Sequence, residues 1–170
     1  MTMFVLECSL GHSDFEGYWI NGTDSGGRAE VLVRIFYNGS DPIKYCKFSC
    51  SPVNRVGDYV ACSITGKVKT EISITGPIVA SPYFQTYRIE DVWWNTDIVK
   101  VRYGDAIVQF MDGSTETVSW EKMKKYLPLA EKEEADAKFK DRIKSCLFTF
   151  IAILCIALPI LIFRSCEFLK

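Results

Sequence analysis

Histidine is nearly absent from this sequence, which contains only His12. Any triad with a histidine base would depend on that residue, and no Gly-x-Ser-x-Gly elbow accompanies it. No glycine-rich loop opens a helix, because Gly26-Gly27 precedes a predicted strand, so a phosphate cradle is not expected. The carboxylate pair Glu90-Asp91 falls in a predicted turn, where acidic side chains are usually solvated. We therefore predict that the chain is not an enzyme, and we assign it no catalytic residue and no cofactor.

The chain also lacks an excess of charge of either sign, since 20 Lys and Arg are balanced by 21 Asp and Glu for a net charge of -1. A nucleic-acid-binding protein needs a concentrated basic face that displaces counterions from phosphates. The one basic cluster here lies beside a long apolar run, where a nearby membrane explains it better. We therefore predict that the chain does not bind nucleic acid.

One long run near the C-terminus contains no charged residue. The 18 residues 146–163 are almost wholly apolar. As a helix they would span roughly 27 Å, close to the ~30 Å hydrocarbon core of a bilayer. The alternative is a buried hairpin strand or core helix, but a core helix needs a polar stripe and this run has none. We predict a C-terminal transmembrane helix at 146–163, with the lipid bilayer as a partner, and a short tail at 164–170.

The charged residues on either side of this run predict its orientation. The basic residues before the run are Lys132, Lys138, Lys140, Arg142 and Lys144, and those after it are Arg164 and Lys170. The positive-inside rule places the N-terminal side in the cytoplasm. Residues 1–10 carry no positive charge, and Glu7 interrupts their apolar patch, so they do not resemble a signal peptide. We predict a single-pass protein of the cell membrane with a cytoplasmic head.

Short segments that alternate between apolar and polar residues fill the chain before the basic cluster. Turn signals such as Asn38-Gly39 separate them, and Asp112-Gly113 is a strong hairpin signal. The predicted strands are Phe4–Cys8, Phe15–Ile20, Glu30–Tyr37, Ile43–Cys50, Tyr59–Thr65, Thr70–Thr75, Tyr83–Tyr87, Ile98–Tyr103, Ala106–Met111 and Thr115–Val118. Short strands with no helix between them predict a mainly β head over residues 1–120, built as an antiparallel sandwich or barrel.

A charged segment joins the predicted head to the apolar run. Glu134/Lys138 and Asp136/Lys140 are i,i+4 pairs in the favourable order for a helix. Pro128 suits the first turn of such a helix. We predict a charged helical stalk over residues 121–145, whose charged helix occupies residues 129–145 and continues into the apolar run.

Several turn motifs carry a resemblance to a known family: PVNRVGD at 52–58, TGPI at 75–78, EDVWWNT at 90–96 and MDG at 111–113. The motifs at 52–58, 75–78 and 111–113 have a reason in turn chemistry, because glycine supplies positive φ and proline presets a turn. Over residues 21–118 the sequence resembles a domain of unknown function common in Firmicutes, itself similar to immunoglobulin-like modules of membrane or cell-surface proteins. The resemblance implies an immunoglobulin-like β-sandwich with no known catalytic residues. The chain departs from it in placing the anchor after the domain and in carrying Cys46 and Cys50.

The head contains four of the seven cysteines, namely Cys8, Cys46, Cys50 and Cys62. A disulfide between Cys50 and Cys62 across a predicted hairpin would require export. Cys8 and His12 together with Cys46 and Cys50 form a conceivable zinc set, although neither half has the tight Cys-x2-Cys spacing. We favour ordinary burial as small hydrophobic residues in a reducing compartment, and we assign no metal site.

Trp93 and Trp94 are the candidate protein-interaction residues. Adjacent strand residues point to opposite sides of a sheet, so we expect one ring in the core and the other at least partly exposed. The resemblance favours Trp93 as the core member. The outer ring either packs beneath a loop such as 77–85, which is the interpretation we favour, or anchors a protein interface.

These observations favour a non-enzymatic function. We predict a membrane-tethered protein-binding or adaptor module whose head presents a sheet edge or an aromatic patch to a protein partner. The alternative is a structural accessory subunit of a membrane complex that acts through its transmembrane helix. The absence of a small-xxx-small pattern from that helix makes this alternative weaker.

Overall fold

The computed structural model describes the backbone of residues 2–10 and 28–167 and the side chains of residues 2–10 and 28–149. The predicted strand Phe15–Ile20 and His12 lie outside these residues. The chain divides into two compact units, Met1–Glu131 and Lys132–Lys170, and the first of them contains all the described strands.

Seven strands and one helix form the described part of the chain. The strands are β1 (Phe4–Leu10), β2 (Arg28–Tyr37), β3 (Ile43–Val53), β4 (Thr70–Ile78), β5 (Gln85–Trp94), β6 (Lys100–Phe110) and β7 (Thr115–Val118), and the helix is α1 (Trp120–Glu167). They form a three-stranded sheet in the order β1-β2-β5 and a four-stranded sheet in the order β4-β3-β6-β7. Neighbouring strands pair antiparallel throughout. The prediction of a mainly β head with antiparallel sheets is confirmed.

A single hydrophobic core is shared by the two sheets. Its members alternate along the strands, as in Val31, Val33 and Ile35 of β2 and Cys46, Phe48 and Cys50 of β3. Branched and aromatic side chains pack well on a pleated surface, which is why these segments form strands. A smaller cluster on the opposite face of β1 and β2 brings Val5 and Phe36 against Ala130 of α1.

Two strand predictions are wrong. Tyr59–Thr65 forms no strand, and Tyr59 makes only one isolated bridge, to Val53. The reason is that the backbone of this segment bonds within the loop and to the end of β5, as in the bonds from Cys62 to Lys67 and from Ser63 to Trp94. The predicted strands Ile98–Tyr103 and Ala106–Met111 are a single strand, because an irregularity in the pairing with β3 accommodates Gly104-Asp105 without a break.

The carboxylate pair Glu90-Asp91 lies within β5 and not in a turn, which corrects the prediction. The pairing with β2 is irregular at this point, since Ala29 faces Trp93 while Val31 faces Ile89. Asp91 takes up the extra length with a positive φ of 56°, a conformation that aspartate tolerates better than most residues. The hairpin at Asp112-Gly113 is confirmed, and Gly113 has the positive φ that such a turn requires.

Helix α1 begins earlier than predicted. The hydroxyl of Ser119 accepts a hydrogen bond from the amide of Lys122 (3.3 Å) and so caps the helix before Trp120. Pro128 therefore lies inside the helix and not in its first turn. Met123 is buried in the main core, which holds the first turn of α1 on the head.

In the second unit, residues 132–167 continue α1, so the helical character of the predicted stalk is confirmed. Lys138 pairs with Glu134 at 2.9 Å, as the i,i+4 spacing predicts. Within the described residues, no helical stretch combines the length and the apolar character needed to cross a membrane. The predicted transmembrane segment 146–163 falls mainly beyond residue 149, outside the residues whose side chains are described.

Candidate functional site

Trp93 and Trp94 occupy different environments at the end of β5. Trp93 is 0% exposed and belongs to the main core, where Ala29 lies opposite it on β2. Trp94 is half-buried and packs against the same core. Neither ring stands out as an exposed apolar side chain, so the surface available to a partner must be sought elsewhere on the head.

The longest described connection between strands, residues 54–69, links β3 to β4; we call it the β3–β4 loop. Its first turn is built by Asn54, whose Oδ1 accepts hydrogen bonds from the amides of Val56 (3.1 Å) and Asp58 (2.9 Å). Gly57 follows with a φ of 98°, which glycine adopts without steric cost. A long loop without secondary structure is uncommon in a compact domain unless it has a function.

The second half of this loop is tied to the end of β5. The amide of Ser63 donates to the carbonyl of Trp94 (2.7 Å), and the amide of Trp94 donates to Sγ of Cys62 (3.4 Å). The side-chain amide of Asn95 donates to the carbonyl of Ala61 (3.0 Å). These bonds hold the loop in one arrangement over the end of the sheet.

Cys62 is the buried residue around which this half of the loop folds. Its amide donates to the carbonyl of Lys67 (2.9 Å), and its carbonyl accepts from Gly66 (2.8 Å). Burial acts to raise the pKa of the Cys62 thiol, but hydrogen bonds from the hydroxyl and amide of Thr65 and from the amides of Trp94 and Ile64 outweigh it and lower that pKa to about 7.

Although it is well ordered by hydrogen bonds, the β3–β4 loop exposes apolar side chains. Val56 is 82% exposed, Ile64 67% and Tyr59 57%. Single exposed apolar residues are common on protein surfaces, whereas several on one loop make that loop a candidate for an interaction site. The loop therefore combines fixed geometry with exposed apolar side chains.

A second loop, residues 95–99 between β5 and β6, lies beside the first. The two loops enclose a groove of about 420 Å³ lined by Asn54, Arg55 and Val56 on one side and by Thr96, Asp97 and Val99 on the other. The guanidinium of Arg102 lies over the ring of Tyr59, 5.4 Å from its centroid. We refer to the two loops and this groove as the β3–β4 loop end.

The buried cysteines do not form the arrangements considered from the sequence. Cys50 faces Thr70 on β4 and Tyr103 on β6, so the proposed pairing with Cys62 is wrong, and both thiols are free. Burial raises the pKa of the Cys46 and Cys50 thiols to about 12, which disfavours the thiolates that zinc requires. No group of three metal-ligating side chains occurs among the described residues, and His12 lies outside them.

Sequence reasoning missed Val56, Tyr59 and Ile64 as candidate interaction residues. The alternation over Tyr59–Thr65 led to a strand prediction, which would have buried half of these side chains. A usable signal was present, because apolar residues here stand among the turn signals Gly57-Asp58 and Thr65-Gly66.

Comparison with known proteins adds no assignment: no protein-family model, curated protein or solved structure matches this chain.

Proposed function

We propose that this chain is a non-enzymatic, membrane-tethered protein-binding module that contacts its partner through the β3–β4 loop end. The observation that carries the proposal is the combination of order and apolar exposure in residues 54–69. Asn54 and Cys62 fix the two halves of the loop, while Val56 and Ile64 project into solvent. A preorganised loop loses little conformational entropy on binding, so its apolar contacts translate more fully into affinity.

We also propose an immunoglobulin-like arrangement of the head. The resemblance of residues 21–118 to the Firmicutes domain supports it from the sequence. Strand β4 pairs with β3, so it belongs to the sheet of β3, β6 and β7 and not to the sheet of β1, β2 and β5. This partition corresponds to an A-B-E sheet and a C′-C-F-G sheet of an immunoglobulin-like sandwich. Loops that connect the strands of a sandwich often carry its function, which agrees with the use of the β3–β4 loop proposed here.

The membrane tether is also part of this proposal. Its support is the uncharged run 146–163, preceded by five basic residues and followed by two. The head would then lie in the cytoplasm, which agrees with the free thiols of its described cysteines. If the tether is present, the full chain will stay with membranes after alkaline extraction, whereas a chain that ends at Ser145 will be released; loss of the full chain to the soluble fraction would rule the tether out.

Affinity capture of the tagged full chain from membranes tests the binding surface. We expect the double substitution Val56→Asp and Ile64→Asp to abolish recovery of the partner, because it places charge in an apolar contact. The matched control is Val79→Asp, since Val79 is 50% exposed in the connection after β4, at the opposite end of the sheets. The proposal would be contradicted if the partner were recovered equally well with Val56→Asp/Ile64→Asp and with Val79→Asp, or lost equally with both.

A second candidate function, a structural accessory subunit that acts through its helix, is favoured by one observation. Phe139, Ile143 and Leu147 are exposed at i, i+4 and i+8 of α1 and so share one side of the helix. Replacing residues 146–163 by an unrelated transmembrane segment separates the two functions. Partners lost on that replacement, and retained with Val56→Asp and Ile64→Asp, would favour the accessory subunit.

A further inference from the structure

The β3–β4 loop end carries more positive than negative charge. The cations in its two loops and in the adjoining start of β6 are Arg55, Lys67, Lys69, Lys100 and Arg102, and all five are exposed. The carboxylates of the same region are Asp58, Asp97 and, at the start of β4, Glu71. The region therefore has five cations against three carboxylates, a net charge of +2, on a chain whose overall net charge is -1.

The opposite end of the sheets has the reverse character. Its connections, residues 38–42, 79–84 and 111–114, contain Asp41 and Asp112 and no lysine or arginine. The positive charge is therefore concentrated at the end that also exposes Val56 and Ile64. Charge placed around an apolar centre selects between partners and accelerates their encounter.

Within the groove the charges are balanced, because Arg55 lies on one wall and Asp97 on the other. Val56 and Val99 make part of the lining apolar, so the groove can accept an aliphatic side chain beside its polar residues. Two further cations, Lys67 and Lys69, follow Ile64 along the same loop and do not line the groove. An incoming chain would thus meet a groove of mixed lining and a surplus of positive charge in the loops that form it.

We infer that the β3–β4 loop end binds an acidic, extended segment of a partner protein, with an aliphatic side chain in the groove between residues 54–56 and 96–99 and flanking carboxylates at the surrounding lysines and arginines. This inference rests on the proposed function and specifies the chemistry of its partner. The fixed loop favours a protein ligand over a lipid surface, because the groove lies between two loops with both polar and apolar lining residues and is not a broad apolar plane.

The test is a selection from a random dodecapeptide display library on the full chain, reconstituted in nanodiscs of phosphatidylcholine. We expect the enriched peptides to carry net negative charge around at least one aliphatic residue. Synthetic copies should bind Lys67→Glu/Lys69→Glu at least about tenfold more weakly than wild type, since each lost charge contact at a protein interface contributes on this scale. Binding to Val79→Asp should remain within about twofold of wild type.

Enrichment of neutral or basic peptides, or no enrichment at all, would overturn the inference. So would acidic peptides that bind the Lys67→Glu/Lys69→Glu chain as tightly as wild type. Sedimentation with phosphatidylcholine vesicles, with and without phosphatidylglycerol, covers the lipid alternative: stronger binding to the anionic vesicles than to the acidic peptides would assign the surface to a membrane. If Val56→Asp/Ile64→Asp still abolishes partner capture while the peptide selection fails, the binding surface stands and only its charge preference falls.

Discussion

The backbone amide of Trp94, the last residue of β5, donates a hydrogen bond to Sγ of Cys62, 3.4 Å away in the β3–β4 loop. The carbonyl of the same tryptophan accepts from Ser63 at 2.7 Å. The backbone amide and the backbone carbonyl of Trp94 therefore both bind the β3–β4 loop. Trp94 thus has a structural part in positioning the apolar surface that Val56 and Ile64 expose.

The thiol of Cys62 should make stability depend on pH. Its pKa is lowered to about 7 from an ordinary value of 9.0, so between these pH values the unfolded chain binds more protons than the folded one. This contribution to stability is therefore complete above about pH 9 and is lost as the pH falls through 7. Thermal melting of the full chain should show a midpoint that rises from pH 7 to 9.

The Cys62→Ser variant isolates this contribution, because serine accepts the same hydrogen bonds without ionising in this range. We expect its midpoint to change less with pH than that of wild type. Cys146→Ser is the control, since Cys146 is exposed on α1 and its replacement should leave the wild-type pH dependence intact. An unchanged slope in Cys62→Ser would mean that another group titrates.

The two adjacent tryptophans should differ in their cost of truncation. Trp93→Ala removes a fully buried ring and should destabilise the head by about 3–5 kcal/mol, enough to unfold a marginal domain. Trp94→Ala removes a half-buried ring while its backbone bonds to Cys62 and Ser63 persist, so it should cost less. Denaturant unfolding of both variants measures the difference, and equal losses would show that both rings are equally structural.

Asn54 should control the order of the loop more than the stability of the head. Asn54→Ala deletes two hydrogen bonds that contribute together about 1–2 kcal/mol, so amides 55–60 should exchange roughly tenfold faster. Hydrogen exchange read by mass spectrometry resolves this segment. Asn38→Ala is the matched control, because Asn38 accepts from the amide of Met3 (2.7 Å) at the opposite end of the sheets, and it should leave residues 55–60 protected. If amides 55–60 exchanged at the wild-type rate in Asn54→Ala, Asn54 would not be the residue that orders the loop.

Alternation along the chain was sufficient to predict β3 and β4, because inward side chains such as Phe48 and Ile74 are apolar and their neighbours are polar. The apolar Val31, Val33 and Ile35 on one face were sufficient to predict β2. The same rule failed at Tyr59–Thr65, since it carries no information about the hydrogen bonds that fold this segment as a loop against the end of β5. It also divided β6, because a glycine next to an aspartate resembles a turn when the partner strand is unknown. Ser119 was overlooked as the cap of α1 in favour of Pro128, although both have the chemistry of a helix start.

The candidate site was harder to predict than the fold. Adjacent strand residues point to opposite faces of a sheet, and this rule correctly predicted that one of the two tryptophan rings is buried, namely Trp93. Whether a loop residue such as Val56 is exposed depends on which strands lie beneath it, and that is a property of the whole fold. The exposed surface therefore depends on the position of the β3–β4 loop next to residues 95–99, which the sequence pattern does not give.

We propose that the β3–β4 loop end is the surface that contacts a protein partner in the cell. It is tested most directly by placing the photo-crosslinking residue benzoylphenylalanine singly at positions 56, 59 and 64, and at the control positions 79, 107 and 111, whose apolar residues Val79, Ile107 and Met111 are each 50% exposed. Irradiation of intact cells should yield one discrete crosslinked partner from the first three positions and none from the controls. Crosslinks of equal yield from both sets, or from the controls alone, would contradict the claim.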